Sequence, residues 1–194
     1  MGPVEIFEQK LAEFTGSPYV VSTDCCTHAI ELCMRLLEIR SCSFSAYTYI
    51  SVPMTMKLLG INYSMTNDAW KDQYQFTDTP VWDSARCLRP NMYKAGMYQC
   101  LSFGPGKPLN NVRGGAILLD NEDHFRQLKM MSYDGRDPSC ENWKDQKLFE
   151  QGFHYMMRYE ECENAISLLA KYINTGLFDH SYKPYTDLRN IKIK

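Results

Sequence analysis

The side chains best suited to chemistry gather around one short segment. Cys100-Leu101-Ser102-Phe103-Gly104-Pro105-Gly106-Lys107-Pro108-Leu109 brings a serine to the end of an apolar run, then a lysine on a glycine- and proline-rich turn. Arg113-Gly114-Gly115-Ala116-Ile117 follows and opens the next apolar run. Most lysines only solubilise a surface. Lys107 differs, being fixed between Gly-Pro-Gly and Pro at a strand end, where ligands of parallel sheets bind. A lysine so placed can be desolvated, the condition an imine-forming amine requires. Three other segments carry candidates: Asp83 after Val81-Trp82, Thr27 after Cys25-Cys26, and Tyr49 within Tyr47-Thr48-Tyr49-Ile50-Ser51. By residue type alone Asp83 and Thr27 read as helix caps and Tyr49 as packing.

The elements that must hold these residues alternate along the chain. Val4, Phe7, Leu11 and Phe14 mark a helix over 3–15 closed by Gly16, and Tyr19-Val20-Val21 a short strand. A second helix runs from Thr27 to Ile39, a strand precedes Tyr47, and a helix covers 51–59. Strands follow at 61–65, at Val81-Trp82, from Tyr98 to Phe103 and over Ala116-Ile117-Leu118-Leu119. A helix over 122–131, a loop at 134–142 and a last helix over 158–173 complete the body. This alternation predicts a three-layer α/β/α domain on a mostly parallel sheet, residues 1–174, with 175–194 as a C-terminal tail or arm.

Composition narrows the function. A chain of 194 residues with 44% hydrophobic and 23% charged residues is an ordinary globular domain. A formal charge of -2 gives no basis for binding nucleic acid or an anionic membrane. No stretch nears the roughly 18 apolar residues of a membrane span. The start, Met1-Gly2-Pro3-Val4-Glu5, lacks the basic and apolar regions of a signal peptide, and residue 6 is Ile where a myristoylation signal needs Ser or Thr. The expectation is a cytoplasmic protein. Eight cysteines, with no C-x-x-C pair, read as reduced thiols rather than metal ligands or disulfides.

With these residues in view, the chain resembles the DegT/DnrJ/EryC1/StrS aminotransferases, sugar-modifying members of fold type I. In that family a Ser-Phe pair precedes a lysine that carries pyridoxal 5'-phosphate as a Schiff base, and Gly-Gly-Ala follows it; Ser102-Phe103, Lys107 and Gly114-Gly115-Ala116 match. Val81-Trp82-Asp83-Ser84-Ala85-Arg86 resembles the family's Asp-Ala-Ala-Gln strand end, whose Asp pairs with the cofactor's pyridine nitrogen. Arg86 stands in place of the Gln that meets the ring hydroxyl. Cys25-Cys26-Thr27-His28-Ala29-Ile30 resembles the Ser-Gly-Thr-Ala-Ala-Leu phosphate cradle, with Cys26 in place of Gly. Tyr49 matches the aromatic residue that stacks on the ring. Asp134-Gly135-Arg136 and Gly152-Phe153-His154-Tyr155-Met156-Met157 resemble later segments. There His154 and Met157 replace an Asn and an Arg, the Asn reaching the partner subunit's phosphate.

The resemblance implies a fold-type I large domain in reduced form. It runs from residue 3 to about 173, but the interval between Ser51 and Asp83 holds little more than Asn62 to Pro80. Family members carry additional βα units there and a small C-terminal domain beyond Tyr172. The implied function is transfer of an amino group from an amino acid to a nucleotide-linked keto sugar, within a homodimer that shares its sites. The alternatives are a cofactor-binding or interaction protein with little turnover and another pyridoxal-phosphate reaction on the same scaffold. Family members that dehydrate sugars carry His instead of the lysine, which Lys107 argues against.

Overall fold

The computed structural model describes residues 1–193. Helix α1 (Pro3–Thr15) turns Val4, Phe7 and Leu11 inward and ends at Gly16, whose φ of 75° makes the left-handed cap. Strand β1 (Tyr19–Thr23), helix α2 (Cys26–Leu36), strand β2 (Ser41–Ser45), helix α3 (Ser51–Leu58) and strand β3 (Asn62–Thr66) follow. Next come β4 (Tyr74–Gln75), β5 (Val81–Asp83), β6 (Tyr98–Ser102), β7 (Gly115–Leu119), α4 (Glu122–Met131) and α5 (Tyr159–Thr175). Among the described residues no helix is long and apolar enough to cross a membrane.

Five strands form one sheet in the order β1-β7-β6-β5-β4, and β2 pairs with β3 beside it. An antiparallel bridge between Ser43 and Thr77 links the two sheets. Alternate residues of β7 face opposite ways: Ile117 and Leu119 join a core with α2 and α4, Ala116 and Leu118 one with α1 and α5. Burial on both faces explains the unbroken apolar run at 116–119. The three layers expected from the sequence are present, and the fold is that of the α/β class.

The pairing corrects the expectation of a mostly parallel sheet. Only β5–β6 and β2–β3 are parallel; β1–β7, β6–β7 and β4–β5 run antiparallel. The physical reason lies in the connections. A parallel return needs a long crossover, usually a helix. Residues 103–114 contain none, so β7 must come back antiparallel to β6, with Lys107 in the loop between them.

Residues 176–193, expected as a tail or arm, pack against the body of the domain. Leu188 is buried and its N–H donates to Ala46 O at 3.0 Å. The segment runs as a strap past the ends of β5 and β6, where Tyr182 and Tyr185 line a cavity with Asp83 and Ser102.

Candidate cofactor site

The register brings the ends of several strands to one level. Thr23 and Ser102 both pair with Gly115, at the start of β7, and Asp83 pairs with Cys100. The end of β1, through Cys25, leads directly into α2. A cavity of about 530 Å³ opens at this edge, lined by Cys26, Thr27, Tyr49, Asp83, Arg86, Ser102 and Lys107 among others. Seven of the eight residues singled out in the sequence therefore meet in one place. The eighth, His154, lies outside it, exposed and paired with Asp134 at 3.0 Å. Nothing among the described residues brings His154 to the cavity.

The floor at α2 is set by a glycine. A side chain on Gly115 would put its Cβ 2.6 Å from both Cys25 C and Cys26 N, so only hydrogen lets β7 press against the turn entering α2. No side chain caps α2, leaving its first N–H groups to face the cavity. Cys26 is buried, its thiol directed to Cys100 O at 3.5 Å, and burial pushes that thiol well up. Thr27 Oγ1 lies 2.8 Å from Ser51 Oγ, joining the starts of α2 and α3. A hydroxyl pair beside a helix N-terminus suits an oxyanion with several oxygens.

Asp24, Arg113 and His28 pin the same turn. The Asp24 carboxylate accepts from Arg113 Nη2 and from His28 Nδ1, each at 2.6 Å, while His28 stacks on Tyr155 at 3.7 Å. Burial alone would lower the His28 imidazole; the Asp24 carboxylate and the Cys25 thiol more than reverse this and carry it up to about 10. Asp24, Cys25 and His28 are close enough together to chelate an ion. The guanidinium already seated on Asp24 opposes that use.

Asp83 is 4% exposed. Its Oδ2 accepts from Tyr74 Oη and its Oδ1 from the Ala85 N–H, both at 3.0 Å. Thr48 Oγ1 lies 2.8 Å from the Tyr74 hydroxyl and completes the chain of bonds. Burial raises the Asp83 carboxyl above its ordinary range, opposed by those two hydrogen bonds and by the charges of Lys107 and Arg86. A cationic ring nitrogen beside it would relieve that cost by pairing with the charged carboxylate. The residues present thus fit pyridoxal phosphate: an uncapped helix start for the phosphate, a buried acid for the ring nitrogen, and an amine on the opposite loop.

Several members of the site were not singled out from sequence. Tyr74 and Ser51 support Asp83 and Thr27. Tyr182 and Tyr185, from the strap, line the cavity too. Tyr185 Oη lies 3.1 Å from Lys107 Nζ, and the Arg86 guanidinium rests 3.8 Å from the Tyr185 ring centre. Clustered aromatic residues in a polar tail (Phe178, Tyr182, Tyr185) were the available signal.

Residues 2–68 match the model of the DegT/DnrJ/EryC1/StrS aminotransferase family. The resemblance to that family stands. No curated protein matches the chain in sequence. Among solved structures, a DegT DnrJ EryC1 StrS aminotransferase from Brucella abortus superposes with a TM-score of 0.73 at 15% identity, covering 89% of this chain and 59% of its own. Spr1654 from Streptococcus pneumoniae, in its PMP form, gives 0.74 at 16% identity, with coverage of 90% and 60%. DesI, solved with its TDP-sugar product, gives 0.71 at 15% identity, with coverage of 89% and 53%. The chain therefore shares the fold of these structures while spanning three fifths or less of their length.

Proposed function

We propose that the chain is a pyridoxal-phosphate-dependent aminotransferase that passes an amino group from an amino acid to a nucleotide-linked keto sugar, as a cytoplasmic homodimer. The observation that carries this reading is the meeting of Lys107, Asp83 and the start of α2 around one cavity. The TDP-sugar of DesI supports the acceptor class.

The cofactor, when bound, supplies an electron sink for the donor's α-carbon. The chain's residues do the rest. Lys107 would hold the cofactor and would move a proton as general acid and base. Asp83 keeps a proton on the ring nitrogen, and Tyr74 with Ala85 orients its carboxylate. The start of α2, with Cys26 N–H, Thr27 and Ser102, binds phosphate. Tyr49 covers one face of the ring and excludes water. Arg86 serves the ring hydroxyl, and His154 donates to the phosphate of the partner subunit.

The test is direct. Purified protein with pyridoxal phosphate is expected to show an absorbance band near the visible edge, and borohydride to fix the vitamin to Lys107. Lys107→Ala should lose both. Failure of the wild type to form a Lys107-dependent adduct overturns the assignment. The contact between Tyr185 and Lys107 favours a second reading, a binding protein with little turnover. A band that no amino donor shifts would select it.

A further inference from the structure

A second cavity, of about 460 Å³, lies on the far side of the strap and is lined by Tyr47, Trp70 and Lys71 together with strap residues. Arg86, Tyr182 and Tyr185 line both cavities and so form the wall between them. The wall is held in three ways. Tyr185 Oη meets Lys107 Nζ at 3.1 Å. Arg86 lies within 3.8 Å of the Tyr185 ring centre and 5.0 Å of that of Tyr182, while its Nη2 donates to Lys183 O at 3.0 Å. Trp70 stacks on Tyr185 at 6.0 Å from the other cavity.

The wall is also incompletely satisfied. The Tyr182 hydroxyl is buried with no hydrogen-bond partner among the described residues, a cost that a closed arrangement bears and an opened one sheds. The strap is anchored on either side of the wall. Leu188 is buried beyond it, and the Tyr172 hydroxyl lies 2.9 Å from His180 Nε2 before it. Tyr185, between these anchors, is held by a single hydrogen bond and ring contacts, which a side-chain rotation can release without unseating the strap.

We propose that Tyr185 is a gate between the two cavities: its hydroxyl holds the Lys107 amine, and a ligand in the outer cavity reaches that amine only when the ring swings away. The inference rests on the reading of Lys107 as the reactive amine but not on cofactor chemistry. Tyr185 is a positioning residue here, acting through Lys107.

The experiment is reductive methylation of the full chain with formaldehyde and cyanoborohydride, Lys107 being followed by mass spectrometry against exposed Lys147 as internal reference. Tyr185→Ala, which loses both the hydrogen bond and the ring, is expected to label Lys107 at least about 2- to 10-fold faster than wild type, the gain expected from releasing one net hydrogen bond. Tyr185→Phe, which keeps the ring, should give a smaller gain, and Lys147 should label equally in all three. Equal labelling of Lys107 in wild type and Tyr185→Ala overturns the gate. Faster labelling of both lysines signals general loosening and overturns it as well. Addition of pyridoxal phosphate and borohydride to the same samples separates the two claims: no adduct in any of them refutes the cofactor reading, whatever the methylation rates.

Discussion

Asp83 shows how a single side chain acquires a role from its surroundings. A carboxylate at a strand end is free to cap a helix, and by type alone it reads that way. Here it is 4% exposed and takes hydrogen bonds from Tyr74 and Ala85 on separate oxygens. Burial raises it, so the ionised form is held at a cost until a positive partner arrives. Asp83→Asn removes the charge and keeps the shape. Under the proposed function the variant should retain the cofactor band and lose about a hundredfold or more in half-transamination, the scale of removing one preorganised electrostatic group. Stopped-flow measurement of the band with an amino donor decides it; an unchanged rate would refute the role.

At the scale of elements, the important joint is where β7 meets the entry to α2. Gly114 has φ 130°, and Gly115 leaves no room for a Cβ against Cys25 and Cys26. The same turn is tied from outside by Arg113 and Asp24. Gly115→Ala is expected to cost about 1–3 kcal/mol, the usual toll of overpacking a tight contact. It should also weaken pyridoxal phosphate binding, since the turn must move to admit the methyl group. Denaturant unfolding and a cofactor titration would both register the change; neither moving would show that the joint yields freely.

At the scale of the molecule, two cores on either face of the sheet carry the fold, and charge tunes it. Burial would lower His28, but Asp24 and Cys25 together carry it from an ordinary 6.5 up to about 10. A raised folded-state value means that its contribution is complete below 6.5 and fades as the pH climbs to about 10. The stability gap between wild type and His28→Gln should therefore narrow over that window. Urea unfolding across the pH range checks this; a gap that widens with pH would contradict it.

Much of this arrangement was legible in the chain itself. The helix over 122–131 falls where expected, and β6 and β7 appear as apolar runs because both faces are covered. The glycine turn that presents Lys107 was legible in the local pattern, whereas Asp83, Thr27 and Tyr49 were singled out only through the family resemblance. Strand direction was not legible. It depends on whether the connection carries a crossover, and residues 103–114 look like a loop in either case. Nor was the strap: Tyr185 reaches Lys107 across 78 positions of sequence, and only packing brings them together. Local chemistry was thus fixed by neighbours along the chain. Which groups share a cavity was decided by contacts between distant segments, whose energies no local pattern contains.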